Sequence, residues 1–309
     1  MRLGLRLGVA LVGAGCAVLA LGGRPAQAQY SEDTDPPRSF DDGLPPPNDA
    51  LWPGSGELGM VIGAHGRGQG GGSFSSLSPT VRGHYFFSSR WGVHLALPFV
   101  QISVDDVDGT SLSATRSGNV AVGAQYKLRE GDTDAVVGLS IATPTARIKG
   151  TEEAQRWTGI AYETAIGVRG GRERWLFAPE RLSPVVRGAV VHRLLPEFGV
   201  LADAELAVLA PVGDAAGKVE LFASAAAGAA WMYRDMAKIG AELSLAVRPT
   251  PPDSVDDPVQ TALKAFARFE PGSYFLEAAF LVNLDDPYGV SFRPRRVWGL
   301  FVGFGAKYD

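Results

Sequence analysis

From Glu57 to the carboxyl terminus the chain is written in two-faced segments of about ten to twelve residues, separated by clusters of turn-forming residues. In KIGAELSLAVR, Lys238, Gly240, Glu242, Ser244, Ala246 and Arg248 share one face. Ile239, Ala241, Leu243, Leu245 and Val247 share the other, because successive strand side chains point to opposite sides. GNVAVGAQYKL sets Asn119, Gln125 and Lys127 against Val120, Val122, Tyr126 and Leu128, and TALKAFARF sets Lys264 and Arg268 against Leu263, Ala265, Ala267 and Phe269. Candidate strands fall at 57–67, 77–87, 91–104, 117–128, 135–145, 158–169, 184–194, 199–210, 217–233, 237–248, 260–270, 273–284 and 297–308.

Strand length decides the fold class. Strands of soluble domains usually have about five or six residues, whereas a tilted strand crossing a bilayer needs roughly nine to eleven. Many long, two-faced strands predict an all-β fold, an antiparallel transmembrane β-barrel of about 12 to 14 strands over residues 57–309, in which closure leaves no edge in lipid. Short links such as Ser88–Arg90, Arg234–Met236 and Glu270–Gly272 alternate with long ones after Val104, Arg248 and Leu284, the pattern of periplasmic turns and outer loops. The alternation breaks at GGRERWLFAPERLSP, residues 170–184. Counting RERWLFA as a further strand gives fourteen; reading one segment as a loop gives twelve.

The amino terminus sets the compartment. Arg2 and Arg6 precede an apolar run from Leu7 to Gly22, and Ala26-Gln27-Ala28 offers a small-x-small cleavage site, so residues 1–28 read as a secretory signal peptide. The single cysteine, Cys16, lies inside that run, with Gly13 where a lipoprotein signal favours a Leu-like residue. The exported chain is therefore expected without a disulfide. Residues 29–56 are acidic and proline-rich and read as a disordered leader. Beyond the signal no stretch reaches the roughly 18 apolar residues of a spanning helix; LFASAAAGAAWMY, Leu221 to Tyr233, is too short. A net charge of −4 carries no basic excess that would point to nucleic acid.

Alternation points Arg82, His94, Lys127, Glu163, Arg187, Asp203, Glu205, Glu220, Lys238, Glu242, Arg248, Lys264, Arg268, Glu277 and Lys307 into the lumen. These residues either pair as a structural network filling a narrow barrel or line a pore that selects solutes. No nucleophile and base stand at a readable spacing among them or around His65, His84, His94 and His192, so no enzyme, cofactor or metal site is expected. DDVDGT, Asp105 to Thr110, lacks the distal glutamate of a calcium loop, and GRGQGGGS, Gly66 to Ser73, opens no helix and is no phosphate cradle. RPRR, Arg293 to Arg296, stands where cations would meet lipopolysaccharide phosphates.

SGNVAVGAQYKL followed by VVGLSIATPT resembles the transporter-like outer-membrane barrels typified by the meta-pathway phenol-degradation family, where a glycine-rich strand ends in tyrosine and the next in proline. That resemblance implies a passive or facilitated route for small solutes, many of them apolar. The closing VWGLFVGFGAKY resembles the terminal strand that the outer-membrane assembly machinery recognises, with Trp298, Leu300, Val302, Phe304 and Tyr308 on one face, although Asp309 follows the last aromatic. The alternatives are a closed barrel serving as a surface or adhesion scaffold, a barrel enzyme, and a soluble secreted β-sandwich with the apolar faces meeting in a core. A chain lacking residues 29–56 is expected to assemble as the full one does, because the leader has no apolar periodicity; a heat-modifiability gel of the membrane fraction reads this directly.

Overall fold

Each two-faced segment that folds as a strand has a partner on both sides. The computed structural model describes residues 55–65, 73–88, 90–105, 111–129, 133–213, 217–233, 236–250, 259–271, 273–285 and 298–307. The expected signal peptide, residues 29–54 of the expected leader, Asp106–Thr110, Gly66–Gly72, RPRR and Tyr308 lie outside them. Ser55 and Gly56, expected as leader, instead open the first strand, paired with Lys307 and Ala306 on one side and His84 and Gly83 on the other, so a deletion that leaves the barrel whole stops at residue 54. The strands are β1 (Ser55–His65), β2 (Ser73–Phe86), β3 (Trp91–Asp105), β4 (Ser111–Ser117), β5 (Ala121–Arg129), β6 (Thr133–Ala142), β7 (Arg181–Leu195) and β8 (Phe198–Pro211). They continue with β9 (Glu220–Tyr233), β10 (Ala237–Val247), β11 (Val259–Phe269), β12 (Tyr274–Asn283) and β13 (Trp298–Lys307).

The strands close into an antiparallel barrel. Neighbours in sequence pair around the wall, and β13 returns to β1 in a ten-residue register from Ser55↔Lys307 to Ala64↔Trp298. β3 carries β5 on Trp91–Ala96 and β4 on Phe99–Asp105 along the same edge. β4 and β5 are therefore one wall strand broken at Gly118–Val120, and the thirteen segments make a ring of twelve. Even strand number places both ends of the ring, Ser55 and Lys307, at one end of the barrel, with the short turns 87–90, 196–197, 234–236 and 270–273. The strand ends that lead into the longer connections, among them the described 143–180, lie at the other, the loop end.

Two sequence expectations fail here for one reason. The segment 158–169, expected as a strand, lies in helix α1 (Glu152–Gly167), and RERWLFA, weighed as a further strand, contains the single-turn helix α2 (Arg174–Phe177). TGIAYETAIG alternates in polarity, but Thr158, Ala161, Tyr162, Ala165 and Ile166, all buried, also recur at helical spacing. The start signal lies upstream, where the Thr151 side chain accepts from the Ala154 N–H and Glu152 and Glu153 occupy the positive first turn. With 143–180 read as one connection, short and long links alternate without a break. A third difference is β4, in a stretch expected as loop. Its Ser113, Thr115 and Ser117 are exposed and polar, so it lacks the apolar face of a strand in hydrocarbon.

The exterior is what a bilayer requires. Leu95, Val122, Leu139, Ile141, Val186, Leu206, Leu243, Leu263, Leu276 and Val302 point outward and are each at least 40% exposed. Tyr85, Trp91, Trp231, Tyr233, Phe269 and Tyr274 form an exposed aromatic belt near the short-turn end. On β13, Val302 faces out while Gly299, Gly303 and Gly305 are buried inward. Val302→Arg is expected to cost about 2 to 4 kcal/mol of folding free energy, as for arginine near the hydrocarbon midplane. Gly303→Ser, whose hydroxyl meets a polar interior, is expected to be milder; folding yields into lipid vesicles compare the two.

Candidate functional site

The barrel interior holds the 143–180 connection. It leaves β6 at the loop end, folds inward through α1 and α2, and returns to β7. Trp175, Leu176 and Phe177 are almost wholly buried in a cluster with Ile102, Val185, Leu209 and Phe222 of the wall. The wall makes room with small residues: Ala96, Ala121, Ala142, Ala207 and Ala246 belong to the same cluster. The tip of the insert turns at Gly170 and Gly171, both with positive φ (71° and 79°). A Cβ on Gly170 would lie 2.7 Å from that of Ala262 on β11, so glycine is required there for backbone direction and for space.

A ring of charge fixes this tip at mid-depth. Arg172 pairs with Asp203 of β8 and, at 3.1 Å, with Glu242 of β10, which also takes Lys264 of β11 at 3.1 Å. From the opposite wall, Arg82 of β2 grips both oxygens of Glu173 at 2.8 and 2.9 Å. The guanidinium of Arg169 donates to the Ser78 carbonyl at 3.0 Å. Glu205 accepts from the Glu173 backbone N–H and the Trp175 indole, both at 3.1 Å, and from the Ser224 hydroxyl at 2.9 Å. Asn283 of β12 donates to the Gly167 carbonyl at 2.9 Å. The insert is thus tied to β2, β8, β10 and β12, all round the ring. Each of these charges is largely removed from water, so each needs its partner. Glu173 sits at φ 54°, a left-handed conformation for a residue with a Cβ, held by these contacts.

The insert also completes the wall. Where β4 and β5 part, the Asn119 side chain donates to the Trp175 and Ala178 carbonyls at 2.9 and 2.7 Å and accepts from the Ala146 N–H at 2.9 Å. Its backbone N–H reaches the Leu176 carbonyl at 2.6 Å. A Cβ on Gly118 would stand 2.5 Å from that same carbonyl oxygen, so a larger residue would push the insert away. Nearby, the Tyr162 hydroxyl donates to the Ser117 carbonyl at 2.9 Å.

Of the residues that alternation points inward, Arg82, Arg187, Asp203, Glu205, Glu242 and Lys264 surround the insert tip. Nearer the short-turn end, fully buried Lys238 pairs with Glu270 at 2.6 Å, and Arg268 bridges Glu270 at 2.8 Å and Glu277 at 3.4 Å. His94 lies opposite His84 in the β2–β3 register and shares a hydrogen bond with Ser140 at 2.9 Å, while Lys127 lies over the Phe86 ring. Near the loop end, Glu220 takes Arg181 and Arg248 at 3.3 and 2.5 Å. Glu163 stands on α1, not on the wall, and pairs there with Arg174 at 2.7 Å. The side chain of Lys307 lies outside the described residues. Arg172, Glu173, Trp175 and the cross-links of Asn119 are legible only once the insert is known to fold inward; the dense charge of RGGRER at the break in alternation is their one sequence signal.

No family model matches the chain, and no curated protein matches it in sequence. Among solved structures it is similar to an outer membrane channel from Pseudomonas putida F1, at 12% identity and a TM-score of 0.57, covering 89% of this chain and 100% of that one. It is also similar to the transport unit of the autotransporter AIDA-I from Escherichia coli, at 10% identity and a TM-score of 0.50, covering 85% and 92%. Both place this chain in the outer-membrane β-barrel fold.

Arg172→Ala leaves Asp203 without this partner and strips one from Glu242, and is expected to weaken docking of the insert by about 3 to 5 kcal/mol, the cost of breaking a buried pair from one side. Hydrogen exchange reads it: faster exchange over residues 160–177, with the β1–β13 pairing, which the insert does not touch through any of these bonds, unchanged.

Proposed function

We propose that this protein is an outer-membrane channel for small solutes, closed in this state by its own 143–180 insert. One observation carries the reading: among the described residues, what fills a ring of twelve strands is a single connection tied to the wall by side-chain pairs and hydrogen bonds. Eight-stranded barrels fill with side chains and those of sixteen or more strands hold water, so a ring of this size needs a filler if it is to be closed. Displacing the tip uncovers Arg82, Asp203, Glu205, Glu242 and Lys264, a lining of both charges that would act on polar solutes. The outward apolar band, the aromatic belt, and the resemblance of Ser117–Leu128 and Val136–Thr145 to the transporter-like barrels of the meta-pathway phenol-degradation family support the same reading. So does the expected signal peptide, which would deliver the chain to a Gram-negative outer membrane. There its partners would be lipopolysaccharide and the assembly machinery that reads the terminal strand.

The buried Trp175, Leu176 and Phe177 favour a second reading, a permanently closed scaffold. Planar bilayers separate the two. Replacing residues 148–173 with a short Gly-Ser linker keeps both ends of the insert at Asn119 and removes the tip. The channel reading expects rare openings of the native barrel and steady conductance of the variant; a variant that assembles and stays silent leaves the scaffold.

A further inference from the structure

At the loop end, the β3–β4 hairpin and the first half of α1 flank a half-open cleft of about 300 Å³, at the lower limit of the size usual for small-molecule sites. Its lining is divided by chemistry. Ile102, Ala114, Ala154 and Trp157 give an apolar floor and side, with Ile102 only 1% exposed and Ala114 packed against the lumen core. Arg116 supplies the cation. Its Nε donates to the Thr158 hydroxyl and its Nη1 to the Thr115 carbonyl, both at 2.9 Å, so the guanidinium plane is fixed while Nη2 has no hydrogen-bond partner among the described residues. The amino-terminal end of α1, capped by Thr151, borders the cleft, but Glu152 and Glu153 in its first turn offset its partial positive charge, so Arg116 is the charge that a bound anion would meet. Glu153, exposed at the rim, opposes a second negative charge.

We propose that this cleft is an outer binding site for small monocarboxylic acids with an apolar body, the carboxylate on Arg116 and the body against Trp157 and Ile102. A pre-oriented guanidinium suits a carboxylate better than it suits a neutral hydroxyl. The apolar floor removes the rest of the solute from water. Glu153 makes a dicarboxylate the poorer ligand. The proposal names a solute class for the channel reading and rests on it for its purpose, since a solute arriving from outside meets the loop end first.

The test is calorimetric titration of the full-length barrel in detergent with hexanoate, hexan-1-ol and adipate. Hexanoate is expected to bind saturably and more tightly than adipate. Arg116→Gln is expected to weaken hexanoate at least ten-fold and to leave hexan-1-ol unchanged, as loss of a charge-assisted hydrogen bond requires. Ala154→Phe fills the cleft, keeps the backbone carbonyl that accepts from the Thr158 hydroxyl, and is expected to abolish binding of both; it carries the test if Arg116→Gln does not assemble. Absence of saturable hexanoate binding, or equal affinity of native and Ala154→Phe barrels, overturns the site. Binding of hexanoate to a barrel that conducts in neither native nor tip-deleted form overturns the channel reading and leaves the site standing.

Discussion

Hydrocarbon offers a peptide group no hydrogen bond, so a sheet that enters it must have no edge. In this chain that requirement is met where β13 lies beside β1, joining residues more than two hundred positions apart in sequence. The pairing fixes strand number, puts both ends of the ring on one side of the membrane, and sets which residue of each strand points inward. Gly299, Gly303 and Gly305 face the lumen and Leu300 and Val302 face out because of that register, and a slip of one residue would exchange the two faces.

Closure creates a second demand. A ring of twelve strands encloses more space than wall side chains can fill. The wall answers with alanines on the inner face, and a helix and its following turn occupy the volume they release. Removing an inward-facing Arg or Glu alone would leave its partner stranded, which is why the charges at the tip occur as linked sets: Arg82 with Glu173 and Arg169, Arg172 with Asp203 and Glu242, Glu242 with Lys264.

The wall was legible because its physics is periodic. KIGAELSLAVR and TALKAFARF announce their two faces by alternation, and they pair in the structure with Glu242 beside Lys264. The insert was not, because TGIAYETAIG satisfies the periods of strand and helix together, and propensity within ten residues does not separate them. The helix signal lay upstream, in Thr151-Glu152-Glu153, and the break in link alternation at residues 170–184 marked the place without giving its shape. β4 was missed for the opposite reason. A strand that meets no lipid on its outward face carries Ser113, Thr115 and Ser117 there and writes no apolar alternation.

Asn119 binds Ala146 near one end of the insert and Trp175 and Ala178 near the other, so the two ends are fastened to a single side chain. The Glu180 N–H also donates to the Ala146 carbonyl and the Thr145 hydroxyl to the Gly118 carbonyl, so the two ends of the insert form one fastening at the seam, separate from the ion pairs that hold its tip. That fastening also closes the gap in the wall between β4 and β5. The tip and the seam are thus held by separate sets of bonds, and loss of the ion pairs at the tip leaves the bonds of Asn119 that close the wall untouched.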